Sequence, residues 1–146
     1  MKKKLIFAAI SLIFCTSIVY ADNDRLINVN QLPQNAQQFI KQHFSNEKVA
    51  YAKIDHDFLE LDYEVVFTNG SKIEFRKDGE WEEVDCKYAK VPTAIVPIQI
   101  TKFVTTNYPN ISIIQIDRDS RDYEVKLNNG LELRFDLKFN LIEIDD

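Results

Sequence analysis

The sequence predicts an α+β fold built as a tandem duplication: a helix plus a four-stranded antiparallel sheet, written twice, with the helices on one face of the sheets. Three observations carry this expectation. Residues 62–75 read DYEVVFTNGSKIEF and residues 122–135 read DYEVKLNNGLELRF, two hairpin patterns sixty positions apart. Apolar residues recur at helical spacing upstream of each hairpin. Within the hairpins apolar and charged residues alternate, the period of a sheet with one dry and one wet face.

In chain order, Met1 to Lys4 make a short basic start, Leu5 to Val19 an almost unbroken apolar stretch, and Val19-Tyr20-Ala21 a small-residue cleavage pattern. Residues 1–21 are therefore expected to be a secretory signal peptide, and the protein periplasmic or secreted. No later segment is continuously apolar for the length of a membrane helix, so no stable membrane insertion is expected after cleavage. Residues 22–146 suffice for a single domain with an ordinary core, divided into repeats at about 31–86 and 91–146.

Loss of Lys2, Lys3 and Lys4 leaves 15 basic against 23 acidic residues, a net charge of −8. The acidic residues are interleaved with apolar ones along the whole chain, which argues against nucleic acid as a partner. Cys86 is the one cysteine outside the leader, so no intramolecular disulfide can form; it reads as a small apolar side chain near a strand end.

The first helix is read from Ala36, Phe39, Ile40 and Phe44, and the second from Ile100, Phe103, Val104 and Tyr108, each set forming one apolar stripe. Pro33 and Pro97 suit the helix starts. Strand candidates follow at residues 49–55 and 111–117, then the hairpins, then closing strands at 81–85 and 141–145. A two-residue Asn-Gly turn would set Val65 against Glu74 and Val125 against Arg134, mixing core and solvent positions. A three-residue loop, with Gly70 and Gly130 left-handed, instead pairs Tyr63 with Phe75, Val65 with Ile73, Tyr123 with Phe135 and Val125 with Leu133. Both copies agree on this register. The two sheets are then joined edge to edge or packed as neighbours, and the amphipathic helices cover their apolar side.

The order Leu32-Pro33, helix ending in Phe44, strand, Tyr-Glu-Val, Asn-Gly, Phe, Gly79-Glu80-Trp81, then a second copy introduced by Val91-Pro92 and Val96-Pro97, resembles the PepSY-like proteins. The resemblance covers residues 31–146. It implies an exported bacterial protein with a fold similar to the β-lactamase inhibitory protein, and raises a binding or inhibitory role without naming a target. The single cysteine departs from that inhibitor, whose disulfides this chain cannot make.

No catalytic residue is assigned, since the chain contains no nucleophile elbow, no zinc-protease motif and no phosphate-cradling glycine loop; no enzyme activity and no cofactor are expected. The predicted binding surface is the helix-free sheet face, where Glu64, Lys72, Glu74, Arg76, Glu124, Lys126, Glu132 and Arg134 project, with Phe58 as an apolar anchor at its rim. The expected partner is a periplasmic or cell-envelope protein or peptide bearing a basic patch. The alternative is divalent-cation (calcium) binding or sensing through the acidic clusters Asp55, Asp57, Asp62 and Asp117, Asp119, Asp122, whose spacing is not that of an EF-hand and which read first as solvated hairpin loops. His43 is expected at a helix end, His56 in a loop, and Trp81 in the core or at its rim.

Overall fold

The computed structural model describes residues 24–56 and 60–146. The leader and Phe58 therefore lie outside the described residues. Strands β1 (Arg25–Ile27), β2 (Val49–His56), β3 (Leu61–Phe67), β4 (Lys72–Arg76), β5 (Trp81–Asp85), β6 (Ile113–Arg118), β7 (Asp122–Leu127), β8 (Glu132–Asp136) and β9 (Leu141–Asp145) form one antiparallel sheet in sequential order. Helix α1 (Gln34–His43) lies between β1 and β2, and α2 (Ile98–Asn107) between β5 and β6. Among the described residues no helix is long and apolar enough to cross a membrane.

The two halves are joined edge to edge. Strand β5 pairs with β6 through Glu83 and Asp117, Val84 and Ile116, Asp85 and Gln115. Both hairpins have the three-residue loop: Tyr63 faces Phe75 and Val65 faces Ile73, just as Tyr123 faces Phe135 and Val125 faces Leu133. The loops close through Phe67 N–H to Ser71 O at 2.9 Å and Leu127 N–H to Leu131 O at 2.8 Å, with Gly70 at φ +87° and Gly130 at φ +94°. Strand β1 is an addition the sequence pattern does not reveal. It pairs with β2 through Arg25 and Ile54, Leu26 and Lys53, Ile27 and Ala52.

The registers align one residue from each strand into transverse rows. Ile27, Ala52, Val65, Ile73, Val84, Ile116, Val125, Leu133 and Ile144 form a single apolar row, of which the six from Val65 to Leu133 are fully buried. Both helices cover this face. Phe39 of α1 meets Phe75 edge-on at 5.7 Å, and Phe103 of α2 meets Phe135 edge-on at 5.4 Å. Phe39 and Phe103 are half-buried, while Ala36, Ile40, Ile100 and Val104 supply the buried stripe. Trp81 is buried under the Arg118 guanidinium, 4.0 Å from its ring centre.

Gly79 shows how tightly α1 is seated. It turns β4 into β5 at φ +84°, and a Cβ there would stand 2.8 Å from Pro33 Cβ and 3.1 Å from Ala36 N. In the second half Phe139 takes the corresponding position at φ +65° and sets its ring, tilted by 51°, with its centre 5.4 Å from that of Tyr123.

Candidate ligand-binding face

One residue along from the apolar row, the same nine strands present a row on the helix-free face: Leu26, Lys53, Glu64, Glu74, Glu83, Asp117, Glu124, Arg134 and Glu143. Five consecutive strands, β3 to β7, thus each contribute a carboxylate. Like charges directly opposite each other in a ladder repel, so the arrangement depends on the groups threaded between them. Lys72 Nζ stands 2.9 Å from Glu74 and 3.3 Å from Glu83. Gln115 Nε2 donates to Glu83 at 3.2 Å and to Asp117 at 3.0 Å. Toward the ends, Lys53 bridges Glu64 at 3.6 Å and also holds Asp24, while Arg134 joins Glu124 at 2.9 Å to Glu143 at 2.6 Å.

Burial and the charge of Glu74 push the Glu83 carboxyl up to about 7, and the ion pair with Lys72 pulls the other way without compensating. Burial likewise pushes Asp117 up to about 6, reinforced by Glu124 and Glu74 and opposed by the Gln115 hydrogen bond. Burial alone would lower the Lys72 ammonium, yet its bonds to Glu74 and Glu83 hold it well above its ordinary range. The centre of the face is therefore short of positive charge. It can accept a cationic or hydrogen-bond-donating group that would replace the proton a raised carboxyl retains or supplement Lys72.

The eight described residues predicted for this surface lie on β3, β4, β7 and β8 of the same sheet. Glu64, Lys72, Glu74, Glu124, Lys126, Glu132 and Arg134 form one ionic field, with Lys126 and Glu132 3.4 Å apart at its border. Arg76 stands opposite Asp62 and keeps a buried Nε with no hydrogen-bond partner among the described residues. Sequence reasoning did not assign Glu83, Lys53, Gln115 or Asp117 to this face; Asp117 reads there as the end of a strand beside an acidic connection. The missing signal is a bulge between Glu74 and Phe75, which sets Glu83 opposite Glu74 and Trp81 opposite Phe75. Strict alternation from Trp81 would have turned Glu83 into the core.

The acidic clusters are corrected in the same way. Asp55, Asp62, Asp117 and Asp122 lie on strands, as the expected spans 49–55, 62–75, 111–117 and 122–135 imply, so the solvated-loop reading does not hold for them; Asp57 lies outside the described residues. Asp119 does lie in a turn, where it accepts the backbone N–H of Arg121 at 2.7 Å and of Asp122 at 3.1 Å, bonds that hold its carboxyl below the usual range. Among the described residues no three His, Cys, Asp or Glu side chains are grouped to hold a metal ion. His43 ends α1 beside Phe39, with ring centres 4.7 Å apart, and burial lowers its pKa. His56 ends β2 instead of occupying a loop. Cys86 is buried, and burial pushes its thiol up to about 11.

Three solved structures are similar to this chain. A "putative calcium-regulated periplasmic protein" from Bacteroides thetaiotaomicron is 63% identical, with a TM-score of 0.83 over 84% of this chain and 97% of that one. A "putative periplasmic protein" of the DUF2874 family from Bacteroides vulgatus is 56% identical, with a TM-score of 0.83 over 86% of this chain and 99% of that one. A second B. vulgatus protein, described as a "putative periplasmic protein of unknown function", is 38% identical, with a TM-score of 0.80 over 84% and 99%. These periplasmic relatives agree with the export expected from the leader. No curated protein matches the chain significantly. The family model described as "Putative beta-lactamase-inhibitor-like, PepSY-like" matches twice, at residues 20–62 and 61–143, and the chain belongs to that PepSY-like family.

Proposed function

We propose that this protein is a non-enzymatic exported binding or inhibitory module that holds a protein or peptide on its helix-free sheet face. One observation carries the reading: five adjacent strands present carboxylates in register on an open face, with Glu83 and Asp117 raised by burial and mutual repulsion. An enzyme would need a nucleophile or an acid–base pair set against a substrate cleft; the row sets its acids, with Lys53, Lys72 and Arg134 among them, on a broad surface. A partner bearing Lys or Arg supplies the missing charge, with electrostatic steering toward an acidic chain. The two family matches and the two hairpins of identical register support a tandem duplication of the helix-and-sheet unit. Phe58, next to β2 in sequence, is the proposed apolar anchor at the rim of this face.

The test is capture of partner from the envelope fraction by the exported protein, compared with Glu74→Lys/Glu124→Lys and with Phe58→Ala. Loss of capture in both, at unchanged melting temperature, supports the surface; capture that survives both refutes it.

The description of the 63% identical relative as calcium-regulated favours a second reading, divalent-cation binding or sensing. Calcium titration followed by thermal melting separates the two, because an ion bound by the folded state raises the melting temperature by mass action. A calcium-dependent rise abolished by Asp117→Asn would favour the cation reading.

A further inference from the structure

Strand β9 is an edge, yet it is built like a strand that expects a neighbour. Its counterpart in the first half is β5: both bulge at the same point, so Glu83, Val84 and Asp85 correspond to Glu143, Ile144 and Asp145. Val84 is fully buried because β6 lies alongside and places Ile116 opposite it. Ile144 continues the same apolar row but is half exposed, and no described strand pairs with its outer side. The edge has also become more apolar than its paired counterpart. Lys77 and Glu82 of the first half are replaced by Leu137 and Ile142, both more than half exposed. Exposed edges are usually protected by charge, proline or a covering segment. At the opposite edge the protection is present, since β1 covers β2.

The hydrogen-bond phase of the edge follows from the hairpin. Leu127 and Leu131 exchange the loop-closing bond, so Leu133 directs its N–H and C=O toward β7, and Glu132 and Arg134 direct theirs toward β9. Glu143 and Asp145 are thereby used within the sheet, and the N–H and C=O of Ile144 point outward; Ile142 is the extra residue of the bulge, where the alternation breaks. The first half shows the phase filled: Cys86 N–H, one step of two from Val84, donates to Ile114 O of β6 at 2.9 Å.

We propose that β9 is a strand-addition site for an extended antiparallel peptide segment in which an apolar residue, set opposite Ile144, is flanked by basic residues set opposite Glu143 and Asp145. The internal β5–β6 pair supplies the register, and charge supplies the chemistry. The rows reaching this edge end in Glu124, Arg134, Glu143 and in Lys126, Glu132, Asp145, so each terminates in a carboxylate with space for a cation beyond it. A second copy of the chain fits poorly. Pairing Ile144 with Ile142 of another copy opposes Glu143 to itself, and pairing Ile144 with Ile144 opposes Glu143 to Asp145. The edge shares Glu143 with the row on the sheet face, but its backbone groups take no part in the proposed function, and methylation of the peptide tests them with every charge of the face in place.

The probe is a synthetic peptide with the sequence of residues 112–119 carrying Gln115→Lys and Asp117→Lys, titrated into the exported protein while backbone amides are followed by NMR and hydrogen exchange. The expected result is slowed exchange at Ile144 and no new protection at β1. Binding is expected to weaken at least tenfold when the peptide nitrogen matching Ile116 is methylated, and at least tenfold with Glu143→Lys/Asp145→Lys protein. Methylation leaves the protein untouched, so its result does not depend on how a variant folds. Equal binding of the methylated peptide, equal binding of a peptide carrying Gln115→Glu and native Asp117, or protection located elsewhere would overturn the proposal. Concentration-dependent self-association that protects the same amides would assign the edge to a second copy and overturn it as well.

Discussion

Glu83→Gln keeps the size and hydrogen-bonding reach of the side chain and removes the charge at the middle of the carboxylate row. In the folded chain Glu83 is raised from 4.5 to about 7, first by burial and then by Glu74 and Asp117. Between those values the folded state holds a proton that the unfolded state has released, so stability is fully present below the unfolded value and is lost as pH rises through about 7. At about 1.4 kcal/mol for each tenfold change in proton affinity, the rise from 4.5 to about 7 sets a ceiling of about 3.5 kcal/mol for this residue. Asp117, raised from 3.8 to about 6, acts in the same direction over an overlapping window. The two effects are not additive, because removing one charge relieves its neighbour. Lys72 retains Glu74 at 2.9 Å after the substitution, which limits the loss from the broken ion pair. Urea denaturation from pH 4 to 8 is expected to show the wild type losing stability as pH rises. At pH 8 Glu83→Gln is expected to be more stable than wild type by about 1–3 kcal/mol, the difference closing toward pH 4. Asp119 and Asp136, lowered by backbone hydrogen bonds and by Asn140 respectively with others, lose their contribution only as pH falls through the acid range; His43, lowered from 6.5 by burial, adds stability as pH rises and cancels in the comparison of variant with wild type. A variant less stable than wild type at pH 8, or a difference between the two that does not close toward pH 4, would refute the reasoning.

Gly79→Ala is expected to cost about 2–4 kcal/mol, combining left-handed strain with the collision against Pro33, whereas Gly130→Ala, with open space around it, should cost about 1–2 kcal/mol. Equal denaturation midpoints for the two would remove the inferred contact between α1 and the β4–β5 turn. Phe39→Ala and Phe103→Ala should each destabilise by about 2–4 kcal/mol, less than a fully buried ring because both are half-buried over Phe75 and Phe135; unchanged urea midpoints would contradict the helix-face assignment. Cys86 should react with a thiol reagent at pH 7.5 only as fast as the chain opens, and rapid labelling of the native protein would contradict its burial and raised pKa.

The hairpins were legible because Tyr63 to Phe75 and Tyr123 to Phe135 write the same alternation twice, and only a three-residue loop keeps both copies in phase. Strand β1 was not legible: Arg25-Leu26-Ile27 is too short to show a period, and its pairing with β2 is a long-range contact across α1. The edge-to-edge join at β5 and β6 was one of two readings, since 27 residues containing a helix separate Asp85 from Ile113 and allow either arrangement. Half of the site followed from the hairpins alone. The central pair did not, because the bulge shifts Glu83 by one residue and because Asp117, at the end of the strand expected at 111–117, has no face until the pairing of β5 with β6 is known. Sheet faces are read from a period of two, and a bulge is where that period fails.

The central claim, that the helix-free face is the recognition surface, is tested most directly by site-specific photo-crosslinking in the exporting cell. A photoreactive residue is placed at Glu74 or Glu124 on that face, or at Lys41 or Lys102 on the exposed sides of the helices. The account predicts the same crosslinked partner from Glu74 and Glu124, competed by added Lys- or Arg-rich peptide, and no adduct from Lys41 or Lys102. Adducts formed from the helix positions while Glu74 and Glu124 stay free would contradict it.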